Sequence, residues 1–460
     1  MRTYDLSGGK LCDALPAALR ADILSGTLTP GEKLPSKRRF AEHHGISVNT
    51  VQNAYEQLIA EGYIEARERS GYYVADFPAE LPPVPTPAGQ RHTNKEEKKA
   101  DVILDLVTNT TDASRFPFSL WARLMRRVLT EEESRLLAPL PAAGAPALRE
   151  AIAAYLREGR GIAADSEQIV IGAGTEYLYQ LLLHLLGRER CFGVENPGHT
   201  KIARIYALNG VRFCPVPLDE GGVDPAALDP LGVEVLHISP NHHFPTGTVM
   251  PATRRRALLH WMQGGDRYII EDDYDSEFRF TGRPIPPLFG MDEAGRVIYM
   301  NTFSKTIAPS MRISYMVLPK SLLPRYRDML GFYACPVPAF EQYTLARFLR
   351  EGHFERHLHR MRTFYRTRRD EVISLLKNAP FADRIDIREA DAGLHFLVRI
   401  NTQRSDAELR SVFEKNGIRV AFLGDYDIGG KRSDTHTVVL NYSGVEPREL
   451  AAGILCLAEK

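Results

Sequence analysis

The 460-residue sequence has little cysteine, no excess of either charge and no long hydrophobic run. No stretch of eighteen apolar residues is present, and the N-terminus "MRTYDLSGGK" lacks the apolar core of a signal peptide, which favours a cytoplasmic protein without membrane attachment. Because 58 Lys and Arg balance 58 Asp and Glu, any nucleic-acid binding must come from a local patch. No CxxC pair occurs, so neither a disulfide framework nor a metal site is expected among the five cysteines, Cys12, Cys191, Cys214, Cys335 and Cys456.

A stretch rich in proline and then in charge divides the sequence. Residues 76–102 begin with "DFPAELPPVPTP" and continue with "KEEKK", and apolar residues do not recur there at helix or strand spacing. Such a segment buries too little surface to fold, so we expect an extended linker. With 44% hydrophobic residues overall, the chain is then predicted to form a small domain at residues 1–75 and a large domain at residues 103–460.

Apolar spacing predicts three helices in residues 1–75. Leu15, Leu19 and Ile23 recur on one face of the first helix. Serine before each helix and glycine after it predict two more, over residues 36–45 and 47–62, joined by a short turn as in a helix-turn-helix. The buried stripe of the third helix is predicted to comprise Val51, Ala54, Tyr55, Leu58 and Ile59.

A two-stranded hairpin is predicted after the third helix. The segment "YIEARERSGYYVA" alternates apolar and polar residues across a Ser-Gly turn, with Arg67 and Arg69 near the tip. The helices and hairpin together closely resemble the winged helix of GntR-type bacterial regulators. The signature of that family is matched at Gly31, Leu34, Pro35, Ser36, Arg38, Ala41, Ser47, Thr50, Val51, Leu58, Glu61 and Gly62.

This resemblance implies a DNA-binding surface. Ser36, Arg38 and Thr50 correspond to phosphate contacts, and the exposed face of the third helix corresponds to the part that enters the major groove. The alternative for the basic group Lys33, Lys37, Arg38 and Arg39 is a solvated helix face. The predicted DNA-binding residues are Lys33, Ser36, Lys37, Arg38, Ser47, Val48, Asn49, Thr50, Gln52, Arg67 and Arg69.

The positions that would read DNA bases differ from the family pattern. Many members have arginines, which bind guanine, where this chain has Val48 and Gln52. Valine can contact only a thymine methyl group, and Gln52 or Asn49 prefers adenine. We therefore expect an operator that is rich in A·T pairs.

Residues 103–460 alternate short apolar runs with helical segments. The runs are "QIVIGAG", "CFGVEN", "VEVLHISP", "RYIIEDDYD" and "VIYMNTFSK". This alternation predicts an α/β domain with a mostly parallel sheet that is covered on both faces. Ligands of such sheets bind at the carboxyl ends of the strands, where each of these runs ends in small or polar residues.

Several run ends offer groups for chemistry, and each has a structural alternative. The turn before Thr175 opens a helix whose N-terminus could hold an anion. Asp272 ends an apolar strand, where a carboxylate requires a cation or hydrogen bonds, and a structural salt bridge is the alternative. Lys305 would become a nucleophile if desolvated, although it could also be an exposed lysine at a helix start. Arg312 would supply a fixed charge for a phosphate.

In this order, the motifs resemble the type I fold of pyridoxal 5'-phosphate (PLP) enzymes, the aspartate aminotransferase superfamily. The motifs are the glycine turn, "ENPG", "PTG", "EDDYDSEFR" and "TFSKT". The resemblance implies PLP as cofactor and a smaller C-terminal α/β subdomain at about residues 340–460. It implies that Lys305 forms an aldimine with PLP, that Asp272 pairs with the pyridine nitrogen and that Tyr274 hydrogen-bonds the ring oxygen. His199 corresponds to the residue that stacks on the ring, and the phosphate-binding positions are Ala173, Gly174, Thr175, Thr302, Ser304 and Arg312.

A GntR-type head joined to this fold resembles the MocR/GabR regulators. That resemblance implies a head-to-tail homodimer that binds operator DNA and senses a small molecule through Lys305. The effector stays open between PLP itself and an amino compound. The alternative function is a working aminotransferase with a vestigial head, because the catalytic lysine and aspartate are both present.

One departure from the aminotransferase pattern favours the sensor. Aminotransferases that bind an α-carboxylate have an arginine just before "LNYS", whereas this chain has Val438 and Val439. Losing this contact removes the main positioning interaction for α-amino acids. Arg388, Arg399 and Arg419 remain open candidates for a substitute, with surface positions as the alternative.

Overall fold

The computed structural model of the protein describes residues 4, 11–76, 103–108, 111–282, 285–430, 433–447 and 449–450. The chain divides into two compact units, Met1–Lys98 and Lys99–Lys460, which we call the head and the large domain. Of the expected linker at residues 76–102, Asp76 is described, and residues 77–102 lie outside the described residues. None of the described helices is both long and apolar enough to cross a bilayer.

The head contains three helices and a hairpin, as predicted. Its elements are α1 (Leu11–Leu24), α2 (Lys37–His44), α3 (Val48–Ala60), β1 (Ile64–Arg67) and β2 (Gly71–Val74). The Ser36 side chain caps α2 by accepting a hydrogen bond from the backbone of Arg39, and Ser47 caps α3 in the same way from Thr50. Gly45 ends α2 in the left-handed conformation, which glycine adopts without steric cost.

The core of the head lies between the helices and the hairpin. Leu15 and Leu19 of α1 are fully buried together with Val51 and Leu58 of α3. The prediction that Ile59 is also buried is wrong, because its exposed fraction is 36%. At 100° per residue, Ile59 lies roughly 90° from the centre of the α3 stripe, so it falls on the shoulder of the helix.

The large domain contains the remaining elements. Its strands are β3 (Leu104–Asp105), β4 (Ile169–Gly172), β5 (Phe192–Asn196), β6 (Phe213–Asp219), β7 (Gly222–Val223), β8 (Val235–Ile238), β9 (Tyr268–Asp272), β10 (Val297–Thr302), β11 (Ser314–Val317), β12 (Ile385–Arg388), β13 (His395–Ile400), β14 (Ile418–Arg419) and β15 (Thr437–Asn441). Its helices are α4 (Phe118–Glu131), α5 (Glu133–Leu137), α6 (Pro146–Arg160), α7 (Thr175–Leu186), α8 (Thr200–Leu208), α9 (Ala252–Gln263), α10 (Leu288–Met291), α11 (Leu323–Leu330), α12 (Ala339–Arg350), α13 (His353–Lys377) and α14 (Asp406–Lys415).

Eight strands form a central, mostly parallel sheet in the order β4-β11-β10-β9-β8-β5-β6-β7. The neighbours from β10 to β6 run parallel, whereas β11 is antiparallel to both β10 and β4. All five predicted runs are strands of this sheet. Their nearly continuous apolar sequences fit strands that are buried on both faces.

Alternate residues of one strand pack into different cores. Tyr299 of β10 belongs to a cluster with residues of α4, α6 and α12, while the adjacent Ile298 belongs to a cluster with α7. The sheet is therefore covered on both sides, as the alternation of strands and helices predicts. The described cysteines Cys191, Cys214 and Cys335 are free thiols.

The C-terminal part has a separate three-stranded antiparallel sheet in the order β12-β13-β15. Its core includes Phe396 of β13, Leu440 of β15 and Tyr365 of α13. Strand β3 joins this part, since Leu104 pairs with Ile418 of β14. No local sequence pattern predicts a pairing between residues so far apart in the chain.

Candidate functional site

A cavity of about 440 Å³ opens at the carboxyl ends of the central strands. It lies where the topology of a parallel sheet places ligands. The predicted site residues on its wall are Thr175, His199, Asp272, Tyr274, Thr302, Ser304, Lys305 and Arg312. Two predicted residues are not on this wall: Gly174 caps α7, and Ala173 lines a neighbouring cavity.

Lys305 is half-buried in this cavity, in the turn that follows β10. Burial lowers the pKa of its amine to about 8, although the negative charge of Asp275 opposes the shift. About a tenth of the amine is therefore uncharged at pH 7, and this is the form that attacks an aldehyde carbon. The alternative of an exposed lysine at a helix start does not fit this position.

Asp272 ends β9 with its carboxylate buried at the base of the cavity. The Tyr179 hydroxyl donates a hydrogen bond to Oδ2, and Nε2 of His237 lies 3.6 Å from the same oxygen. Oδ1 is buried and has no hydrogen-bond partner among the described residues. A buried carboxylate that keeps one oxygen unpaired is suited to a donor on a bound molecule.

The sequence analysis missed Tyr179 and His237. Tyr179 lies one turn after Thr175 on α7, so the two share a face of that helix. His237 is a polar residue within the apolar strand β8, which was the signal that could have identified it. Both are almost fully buried, and their ring centroids are 5.1 Å apart.

An anion cradle surrounds the N-terminus of α7. Gly174 has φ of 93°, and the guanidinium of Arg312 lies where a side chain at position 174 would be. Arg312 itself is held in the left-handed region with φ of 51°. The Ser304 backbone donates to Thr302 Oγ1 at 3.1 Å, and the buried Ser304 Oγ has no partner among the described residues. A helix N-terminus, a hydroxyl and a guanidinium together suit a phosphate.

Glu176 occupies part of this cradle. Its carboxylate accepts hydrogen bonds from Lys201 and from Arg312, the latter at 2.5 Å. Burial opposes ionisation, but the bonds from Lys201, the helix backbone and Arg312 outweigh it and lower the pKa of Glu176 to about 2. The cradle therefore contains an internal anion, which the sequence analysis did not predict.

A second buried carboxyl group, Glu195 at the end of β5, also lines the cavity. Burial and the nearby Asp272 raise its pKa to about 8, against a hydrogen bond donated by the Ser239 backbone. His243 Nε2 lies 3.4 Å from Glu195, and burial lowers the pKa of this histidine to about 3. The two buried side chains can therefore both be neutral at pH 7.

No candidate for a substitute carboxylate clamp reaches the cavity. Val438 and Val439 are buried within β15. Arg388 pairs with Asp386 and Arg419 with Asp105, and all four side chains are partly exposed outside the cavity wall. Arg399 is exposed on β13. Among the described wall residues, the one guanidinium is that of Arg312.

The predicted DNA-binding residues lie on the surface of the head. Val48 at the start of α3 is 41% exposed, and Gln52 one turn later hydrogen-bonds Lys37 and Glu56. On the hairpin, the Arg67 guanidinium lies 4.4 Å from the ring centroid of Tyr73. Exposed side chains are those of Lys33, Ser36, Arg38, Ser47, Val48, Asn49, Arg67 and Arg69, and half-buried ones are those of Lys37, Thr50 and Gln52.

Comparison with known proteins identifies both units. Residues 102–422 match the family of aminotransferases of class I and II, and residues 11–74 match the bacterial regulatory proteins of the gntR family. A Pyrococcus horikoshii kynurenine aminotransferase, crystallised with PMP, kynurenine and its product, aligns with a TM-score of 0.68 at 24% identity, over 78% of this chain and 90% of its own. This likeness shows the fold.

Relatives that cover nearly the whole chain are regulators by name. The uncharacterized HTH-type transcriptional regulator YdeL of Bacillus subtilis is 36% identical over 98% of this chain and 96% of its own. The probable rhizopine catabolism regulatory protein MocR of Rhizobium meliloti is 32% identical over 95% and 90%, respectively. The pyridoxine biosynthesis regulator PdxR of Corynebacterium glutamicum is 32% identical over 92% and 90%. The chain therefore belongs to the MocR/GabR subfamily of GntR-type transcriptional regulators, in which a winged helix is fused to an aminotransferase class I and II domain.

Proposed function

We propose that the protein binds operator DNA through its head and holds PLP at Lys305, so that PLP itself or an amino compound bound to it controls transcription. One observation carries the proposal. The desolvated amine of Lys305 lines the same cavity as the buried carboxylate of Asp272, whose Oδ1 has no hydrogen-bond partner among the described residues. The family supports regulation as the output of this site.

The residues around the cavity fit PLP. When bound, PLP supplies an aldehyde that reacts with amines and a pyridine ring that withdraws electrons. Asp272 would accept a hydrogen bond from the ring nitrogen through its unpaired Oδ1, and the α7 cradle with Arg312 would hold the phosphate. Tyr274 would donate to the ring oxygen, and His199 at the cavity mouth would stack on the ring beside Phe244, its neighbour at 5.6 Å.

The cavity wall favours PLP over an α-amino acid as effector. An α-carboxylate needs a guanidinium or a comparable donor set, and the one described guanidinium of the wall already belongs to the phosphate cradle. The rest of the wall toward the C-terminal part is apolar or aromatic, with Val107, Tyr426 and Ile428. The regulator PdxR, a relative over most of the chain, is named for pyridoxine biosynthesis.

We also propose that the protein acts in the cytoplasm as a head-to-tail homodimer. Several large apolar side chains of the large domain are exposed, including Phe118 at 69% and Phe332 at 78%. Phe118 borders the cavity that contains Ala173, next to the proposed phosphate cradle. Exposed apolar groups of this size are typical of surfaces that bind another protein, here a second copy. Light scattering that gave the mass of one chain would contradict the dimer.

DNA binding by the head tests the regulatory part of the proposal. Arg38→Ala is expected to weaken binding to the DNA upstream of the protein's own gene and to reduce the salt dependence of binding by about one phosphate contact. Binding is measured by fluorescence anisotropy at several salt concentrations. Arg388→Ala, which removes an exposed arginine of the large domain, is the control and should leave both quantities unchanged.

The alternative, a working aminotransferase with a vestigial head, has the opposite signature. It requires turnover at ordinary enzyme rates, about 10 per second, with a pair of amino and keto acids. It also requires that the salt dependence of DNA binding be the same in the wild type and Arg38→Ala.

The carboxylate of Glu176 is expected to lower the affinity of the protein for PLP. Glu176→Gln is expected to bind both PLP and inorganic phosphate about fivefold more tightly, because the phosphate no longer competes with a carboxylate for Arg312. Calorimetric titration measures both affinities. The control is Glu167→Gln, since Glu167 likewise bridges two basic side chains, Arg149 and Arg327, away from the cavity. Weaker binding by Glu176→Gln would instead show that Glu176 orients Arg312 for the phosphate.

A further inference from the structure

A cluster of buried polar side chains lies next to Tyr274. The sequence analysis assigned no role to any of them. His242 follows β8, Asp275 follows β9 and His395 begins β13, and their exposed fractions are 2%, 1% and 0%. One ring nitrogen of each histidine and one carboxylate oxygen of Asp275 lie within 4.8 Å of one another. The cluster therefore connects the strand ends that form the cavity with the C-terminal part of the large domain.

The contacts of His242 define where its hydrogen lies. Its Nδ1 is 3.0 Å from both oxygens of Asp275. An ionised carboxylate can only accept, so Nδ1 carries a hydrogen and donates it. The same Nδ1 lies 3.3 Å from Oη of Tyr274, and because it carries a hydrogen it has no lone pair to accept the Tyr274 hydroxyl hydrogen. The hydroxyl hydrogen of Tyr274 is then directed away from His242.

The position of the His242 ring is enforced by its surroundings. Gly393 has φ of 71°, and a Cβ atom at that residue would overlap the His242 ring. The His395 ring packs against the other side at a centroid distance of 4.7 Å, and its Nε2 donates to the Pro245 carbonyl at 3.2 Å. This donation leaves His395 Nδ1 as a lone pair, so His395 presents no hydrogen at that atom.

Other charged groups face this cluster. The carboxyl groups that act on Tyr274 are those of Asp275, Asp272, Glu195 and Asp273, and they raise the pKa of Tyr274 together with its burial, which is the larger cause. Glu389 faces His242, and His242, His243 and Lys305 face His395. Tyr274 therefore stays a neutral hydroxyl that can donate a hydrogen bond.

We propose that His242, held by Asp275, is a positioning residue that directs the Tyr274 hydroxyl hydrogen into the cavity, toward the anionic oxygen of the bound cofactor ring. The inference rests on the proposed function. A hydroxyl fixed in this way donates a hydrogen bond to that oxygen and stabilises its negative charge. The nitrogen that joins Lys305 to the cofactor would then bind a proton less tightly. His242 would set the pH at which the bound cofactor changes colour.

A test on the cofactor-free protein examines the hydrogen of His242 alone. Nuclear magnetic resonance of protein with ¹⁵N-labelled histidine is expected to show a histidine protonated at Nδ1 and bare at Nε2, and this signal should disappear in His242→Asn. A His242 signal protonated at Nε2 would overturn the inference. So would a stoichiometric zinc ion in the purified protein that binds both histidines through Nδ1.

A second test uses the cofactor-loaded protein and its absorbance as a function of pH. Tyr274→Phe is expected to raise the midpoint of the colour change by about one pH unit, because a hydrogen bond to a charged oxygen is lost. His242→Asn should raise it by about half as much, and the double variant should match Tyr274→Phe alone. His395→Phe, which keeps a ring packed against His242 and removes the hydrogen bond to Pro245, should leave the midpoint unchanged.

The outcomes separate this inference from the proposed function. An unchanged midpoint in His242→Asn, additive shifts in the double variant or an equal shift in His395→Phe would overturn the positioning role while leaving PLP binding intact. A wild-type protein that acquires no colour with PLP would instead remove the proposed function, and the histidine spectrum would still decide the hydrogen of His242.

Discussion

Replacing Lys305 by alanine is expected to abolish the absorbance band near the violet edge of the visible that the wild-type protein should acquire with PLP. The band requires a bond between the cofactor aldehyde and a nearby uncharged amine, and burial lowers the pKa of the Lys305 amine to about 8. The variant should remain folded, because it removes a group whose charged form burial disfavours. Absorbance spectra and circular dichroism of the two proteins measure both effects.

Lys201→Ala is the matched control for this prediction. Lys201 is the other lysine on the described cavity wall, but its side chain is 55% exposed and pairs with Glu176. The control should keep the band, even if its affinity for PLP changes. The rate of band formation in the wild type should increase as the pH rises through about 8, where the amine loses its proton. A band that persists in Lys305→Ala would remove Lys305 as the attachment site.

Replacing Arg160 by methionine is expected to destabilise the large domain by about 3–5 kcal/mol. Arg160, at the end of α6, donates to Asp273, which also accepts from the Tyr299 hydroxyl at 2.6 Å. Burial acts against the charge of Arg160, but the attraction of Asp273 outweighs it and raises the pKa of the guanidinium. Methionine keeps much of the volume and leaves a carboxylate buried without its cation.

Tryptophan fluorescence during urea unfolding measures this effect on the large domain alone. The chain has two tryptophans, and both Trp121 and Trp261 are buried there. The control is Arg388→Met, which removes an Arg–Asp pair whose side chains are 52% and 49% exposed, and such pairs contribute about 0–1 kcal/mol. Equal effects of the two variants would show that the buried pair stabilises the domain no more than an exposed one.

Local patterns in the sequence predicted most of the elements. The serine caps and glycine ends of α2 and α3 involve neighbouring residues, and the five apolar runs of the central sheet are visible as composition. The site residues could be predicted because parallel strands end at one edge, so Asp272 and Lys305 line one cavity although 33 positions separate them. Ile59 was misassigned because spacing alone does not define the edges of a buried stripe.

Contacts between distant side chains could not be predicted in this way. The hydrogen bond of Tyr179 to Asp272 depends on the distance between a helix and a strand, and the carboxylate of Glu176 reaches Arg312 across 136 residues. The His242 cluster requires β13, whose position depends on the packing of the C-terminal part. Such contacts follow from tertiary packing, which single-sequence periodicity does not contain.

The two adjacent aspartates at the end of β9 have opposite partners. Asp272 meets Tyr179 and His237 at the cavity, whereas Asp273 meets Arg160 behind the sheet, because successive strand residues point to opposite faces. An insertion or deletion of one residue within Tyr268–Asp272 would exchange these partners. The lineage of this protein can therefore change the cavity through substitutions in this strand, while changes of length must be confined to the loops.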